Sequence, residues 1–146
     1  SNISRLARRI QNSYKPISEY DCEFVDTPFL RNHDQDRFAS SISQDNLDLK
    51  LKLGARILLT LPGSPIIYYG EELGLKGGRY DGLNVDGYES NIYDEYRRSP
   101  LLWGDTQETT WLPDIGLNDE VDSIAVQEEN EDSLLEAYKE IMSMPV

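Results

Sequence analysis

Apolar residues at helical spacing open the chain. In ISRLARRIQNSY, Ile3, Leu6, Ile10 and Tyr14 fall on one stripe, with Arg5, Arg8 and Arg9 largely off it. Lys15 and Pro16 are expected to stop this helix. CEFVDTPFL, residues 22–30, is a short β-leaning run that reads as a strand delivering residues to its C-terminal end. SQDNLDLKLKLGARILLT returns to helical spacing, with Ser43 as the expected N-cap, Leu49, Leu53 and Ile57 on one face, and Pro62 as the stop. SPIIYYG is apolar without interruption, as in a strand buried on both faces of a parallel sheet. Residues 70–131 then run polar and rich in Gly, Asp and Tyr, a loop long enough to suggest function, with short helices expected near residues 92–98. EDSLLEAYKEIMSM closes the pattern as an amphipathic helix with Leu134, Leu135, Tyr138, Ile141 and Met142 on one face.

The order helix, strand, helix, strand, long loop, helix contains no internal repeat. Alternating elements of this kind imply right-handed crossovers and a parallel sheet, an α/β fold. Two buried parallel strands do not cover their own faces and edges, so the pattern reads as part of a sheet rather than a whole one.

Composition narrows the function classes. With 146 residues, 38% hydrophobic and 10% aromatic, the chain has the makings of a globular core. A formal net charge of −13, most of it carried by the twelve acids and single base of residues 105–146, makes nucleic acid an unsuitable partner. That acidic stretch otherwise reads as a solvated surface. ARILLTLPGSPIIYY is the longest apolar stretch, and Pro62, Gly63 and Pro65 break it, so no membrane span is expected. No secretory apolar run opens the chain, and its localisation is left open. The single cysteine, Cys22, reads as a small packing residue, and no Cys/His cluster suggests zinc. The acidic loop YDGLNVDGYESNIYDE holds Asp81, Asp86 and Glu89, but their spacing does not fit an EF-hand; no cofactor is expected, with calcium a weak alternative.

The densest chemistry lies in FLRNHDQDRF, residues 29–38, where the only histidine, His33, stands beside Asp34 at the end of the first expected strand. Taken alone, Asn-His-Asp is most often a turn with Asx-type capping. In longer context FLRNHDQDR resembles the fourth conserved region of the α-amylase superfamily, glycoside hydrolase family 13, which follows the seventh strand of its (β/α)8 barrel. GSPIIYYGEELGL is similar to the same family's segment through the eighth strand, at Gly63, Pro65, Tyr69, Gly70 and Glu72. DEYRRSPLLW resembles its loop of an Arg, an acid, a Pro and a Trp, with Ser99 where the acid often stands, and SIAVQEENEDSLLEAYKEIM resembles the run into the eighth helix.

The resemblance implies that residues 1–146 are an incomplete domain: the C-terminal portion of a catalytic TIM barrel, from about helix 6 to helix 8 with strands 7 and 8. A complete barrel takes about 250 residues. It also implies a retaining hydrolase of α-glucosidic bonds in starch-like glucans or malto- and isomalto-oligosaccharides. Such enzymes use a nucleophile and an acid about 5 Å apart, which the family carries on strands outside this sequence, so the fragment alone is expected to be inactive. By the same resemblance Asp34 is the transition-state stabiliser and His33 a ligand of the same sugar hydroxyls. Asn32 is expected to fix the turn. Gln35 and Arg37 either line the leaving-group site or brace the loop. Tyr68 and Tyr69 read as core, Glu72 as a structural anion, Arg98, Pro100 and Trp103 as organisers of the long loop, and Trp111 as packing. The partners implied are a glucan substrate and the remainder of the barrel or a second copy. Alternatives are a non-catalytic relative, which the intact His33 and Asp34 argue against, and an oligomeric sugar-binding or assembly module.

Overall fold

A computed structural model describes residues 2–20, 23–82, 93–104 and 112–144, with side chains from Ser4 onward. Cys22, Asp86, Glu89 and Trp111 lie outside the described residues. The elements are α1 (Asn2–Tyr20), α2 (Phe38–Ser41), α3 (Leu47–Thr60), a 3₁₀ turn (Glu95–Arg98), α4 (Ile124–Glu128) and α5 (Leu134–Ser143). No helix among the described residues is long and apolar enough to cross a membrane.

Neither expected strand forms. Residues 24–29 and 64–67 instead lie side by side as two extended runs: Ser64 N–H donates to Asp26 O and Ile66 N–H to Pro28 O, each at 2.8 Å. That two-residue step is the register of a parallel pair. The return bond between the two falls to residue 28, and Pro28 has no N–H to give. The ladder therefore stays one-sided. The expectation of burial on both faces also fails, since Phe29 is 47% and Ile66 53% exposed.

The core is instead helical. Leu51 and Ala55 of α3 meet Leu134, Tyr138 and Ile141 of α5, with Ala39 of α2 completing the cluster and Phe38, Ile42, Leu47, Leu59 and Ile67 packed around it. The buried face of α3 is thus Leu51, Ala55 and Leu58; the expected face is turned outward, with Leu49 67% and Leu53 57% exposed. On α5, Leu134, Tyr138 and Ile141 are buried as expected, but Met142 is exposed.

The ends of the helices also depart from expectation. Asn46, at a left-handed φ of 52°, is the N-cap of α3. Ser43 lies three residues upstream, where its hydroxyl takes a 2.5 Å bond from Lys50 Nζ. α1 continues through Pro16 to Tyr20, because proline removes one hydrogen bond while the turns on either side persist. Tyr14 ties α1 to the extended pair, its hydroxyl 2.7 Å from Asp26 Oδ2.

The long polar segment is anchored by buried polar groups. Ser133 caps α5 by accepting from Glu136 N–H (3.1 Å), an ordinary serine N-cap. Gln127 of α4 is buried and well satisfied: its Nε2 donates to Leu73 O and Asp122 O, both 3.0 Å, and its Oε1 accepts from Leu135 N–H at 3.1 Å. One side chain so joins the turn after Gly70 to both C-terminal helices. Beside it the Tyr138 hydroxyl donates to Glu71 Oε1 at 3.2 Å. Burial pushes the Glu71 carboxyl up to about 7, against the opposing pull of that hydrogen bond.

Two measurements on the full-length protein test this frame. Gly63 sits at φ +113°, and a Cβ there would press on the Asp26 carbonyl that receives the first inter-run bond. Gly63→Ala is expected to destabilise by about 1–3 kcal/mol in a denaturant melt; an unchanged midpoint would remove the close approach. For Glu71, the folded chain holds its proton more tightly than an unfolded glutamate of ordinary pKa 4.5. Stability from this group is complete below about 4.5, falls as pH rises towards about 7, and is flat beyond. Thermal midpoints at pH 5 and pH 8 should therefore drop more for wild type than for Glu71→Gln, and equal drops would place the proton elsewhere.

Candidate functional site

The segment that follows the first extended run turns sharply at Asn32. Its side-chain oxygen accepts from Asp34 N–H (3.0 Å) and its carbonyl from Gln35 N–H (3.2 Å), an Asx turn that closes on itself. The turn faces His33 and Asp34 outward, with side chains 61% and 67% exposed and His33 Nε2 lying 3.3 Å from Asp34 Oδ1. Gln35 is exposed beside them.

The 3₁₀ turn of the long segment supplies the other wall. Arg98 Nη2 reaches Asp34 Oδ1 at 3.5 Å and Asp94 Oδ2 at 2.9 Å. Arg97 reaches the main chain of the same turn, donating from Nη1 to Asp34 O at 3.0 Å, and holds Asp36 through Nε and Nη2. A carboxylate with an imidazole and a guanidinium at its edge, open to solvent, is equipped to accept hydrogen bonds from a polyhydroxylated ligand.

Arg37 is placed otherwise. It is 2% exposed, its N–H donates to Gly77 O, and its Nη1 donates to Tyr69 O at 2.6 Å. The guanidinium lies 4.7 Å from the Tyr68 ring centroid and 4.8 Å from that of Tyr69, within cation–π range of both. Burial lowers its pKa, opposed by the two tyrosines and, less strongly, by the Glu72 carboxylate. Arg37 is thus enclosed beneath the turn, with its guanidinium against the two tyrosines.

The tyrosines are neither free nor simply core. Tyr68 OH donates to Arg97 O (3.0 Å) and Tyr69 OH to Ser99 O (2.9 Å), so the residues that follow the second extended run hold the C-terminal end of the 3₁₀ turn. Burial pushes the Tyr68 hydroxyl up to about 12. Arg98 does organise the long segment, through Asp94. Trp103 contributes through its main chain, its carbonyl accepting from Ala125 N–H at 3.2 Å, while the residue is 61% exposed. Sequence reasoning missed Asp36 and Arg97, which are far apart in the chain and are brought together only by the docking of the 3₁₀ turn on the Asx turn. Of the acidic loop, Asp81 pairs with Arg79 at 2.6 Å. Among the described residues no three His, Cys, Asp or Glu side chains gather as a metal site.

Comparison with known proteins gives this geometry its context. The α-amylase catalytic-domain family model matches residues 4–144. The α-amylase SusG of Bacteroides thetaiotaomicron is 37% identical over 135 residues, covering 91% of this chain and 18% of that protein. α-Amylase 3 of Dictyoglomus thermophilum is 33% identical over 135 residues, covering 89% and 24%. Among solved structures, an α-amylase from H. orenii superposes with a TM-score of 0.66 at 33% identity, over 89% of this chain and 25% of that one. The chain therefore spans less than a quarter of the length of these two curated relatives. The arrangement of helices and paired extended runs fits a fragment of a TIM barrel. With the match running through nearly every described residue, the chain belongs to the α-amylase family, as part of its catalytic domain.

Proposed function

We propose that the full-length protein is a retaining glycoside hydrolase of α-glucosidic bonds in starch-like glucans or malto- and isomalto-oligosaccharides. This chain supplies one wall of its active site. The observation that carries the reading is the outward-facing His33–Asp34 pair, held on an Asx turn at the end of an extended run and flanked by Arg98. Membership of the family supports the same assignment.

On this reading the chain covers the barrel from about helix 6 to helix 8, the two extended runs standing where strands 7 and 8 complete themselves once neighbouring strands pair with them. Residues 70–131 are the loop after strand 8. The nucleophile and general acid belong to strands outside the chain, so the fragment alone is inactive. Outward apolar residues support an incomplete domain: Phe29, Leu49, Leu53 and Ile66 are the surface on which the rest of the barrel closes.

Asp34 is the transition-state stabiliser. Its carboxylate accepts bonds from two adjacent sugar hydroxyls, and those bonds strengthen as positive charge develops on the ring. His33 orients the same hydroxyls, and Gln35 lines the neighbouring leaving-group subsite. Arg37 acts on the sugar only through the turn it supports.

In the full-length protein, Asp34→Asn is expected to lower kcat by roughly 10²-fold or more with little change in KM, because the lost bonds matter most in the transition state. A kcat within a few-fold of wild type on a maltooligosaccharide would remove Asp34 from the mechanism.

A further inference from the structure

Asp34 is an exposed side chain whose neighbours, the His33 imidazole and the Arg98 guanidinium, stand at 3.3 and 3.5 Å, too loose to fix its direction. Its aim is set by its main chain, which is held at both ends. Asn32 Oδ1 takes its N–H, a bond internal to the turn, and Arg97 Nη1 takes its carbonyl, a bond that crosses from the long segment.

The same guanidinium is anchored one step further along. Arg97 Nε and Nη2 both donate to Asp36 Oδ1, at 3.0 and 2.8 Å, and Arg79 N–H reaches the same oxygen at 3.2 Å. Arg97 is itself fixed from behind: its N–H donates to Asp94 O, and its carbonyl accepts from Tyr68 OH. Its side chain is only 16% exposed, so the pair is shielded on the arginine side and screened less than an open surface ion pair.

We propose that Asp36 and Arg97 form a clasp whose function is to position Asp34: Arg97 reads the location of the loop after the second extended run, and Asp36 orients its guanidinium so that Nη1 meets the Asp34 carbonyl. Neither residue touches the sugar. A shift of the loop moves Asp34 with it, which makes the 3₁₀ turn a determinant of turnover rather than of substrate affinity. The inference rests on the assignment of Asp34 made above.

The test uses the full-length protein and a maltooligosaccharide. Arg97→Lys keeps the charge but loses the planar fork that spans both acceptors, and Asp36→Asn keeps the shape but loses the charge. Each is expected to lower kcat about tenfold with KM within about twofold, since misplacement of a reacting group by a fraction of an ångström has this scale of effect. The double variant should lose no more than the worse single one, because both act through one contact. Thermal midpoints are measured alongside. A lowered midpoint with unchanged kcat per folded molecule would make the pair purely structural and overturn the clasp, as would fully additive losses. Asp34→Asn is run in parallel. If it is nearly inactive while both clasp variants keep wild-type kcat, the clasp alone is wrong; if it is fully active, the assignment of Asp34 falls and the clasp falls with it.

Discussion

A buried guanidinium holds this structure together. Desolvating a cation costs several kcal/mol even after local relaxation, and Arg37 is enclosed with its Nε and Nη2 lacking hydrogen-bond partners. Its compensation comes from one charge-assisted bond to Tyr69 O, two aromatic faces and the Glu72 carboxylate nearby. All of these come from residues 68–72, so the arginine is tolerable only when the turn after residue 30 docks on the second extended run. Gly70, at φ +80°, is part of the condition: a Cβ there would stand 3.1 Å from Arg37 Nη1 and collide with Leu75. The site is thus secured by a constraint two layers beneath it.

This explains which parts were legible in the sequence. The Asx turn at Asn32 is written in adjacent residues, and α5 in a clean apolar period behind a Ser-x-x-Glu start. The last helix, the existence of α3 and the 3₁₀ turn near residue 95 follow from such local signals. The face of α3 does not. Leu49, Leu53 and Ile57 make as good an apolar stripe as Leu51, Ala55 and Leu58, and only the position of α5 decides between them. A helix apolar on two sides has two faces to cover, and among the described residues α5 and α2 gather on the face of Leu51 and Ala55.

The missing strands have the same origin at the level of the backbone. Both runs are apolar and extended, and periodicity alone marks them as strands. A ladder needs donors on both sides, however, and Pro28 silences the one that lies between the two bonds that do form. In a closed sheet such a proline is harmless, because the other edge of each run carries the pairing. Among the described residues no further strand flanks either run. Gln127 was illegible for a different reason: its three bonds join Leu73, Asp122 and Leu135, and no spacing in the sequence announces a hub of that kind.

The two layers of the site differ in how they depend on what surrounds them. The lower layer, made of Arg37, the two tyrosines and the turn at Gly70, is enclosed within the chain, with a buried and only partly bonded charge that ties its pieces together. In the upper layer, the contacts that His33 and Arg98 make to the Asp34 carboxylate are long and exposed, and an exposed pair of the Arg98–Asp34 kind is worth at most about 1 kcal/mol. A rigid base under a weakly held rim lets the rim adjust to a ligand without disturbing the fold. It also means that the rim's geometry is set by whichever contacts cross it with good hydrogen-bond distances. In this chain those run through Arg97, whose three donated bonds are between 2.8 and 3.0 Å, and not through the longer contacts of His33 or Arg98 to the Asp34 carboxylate.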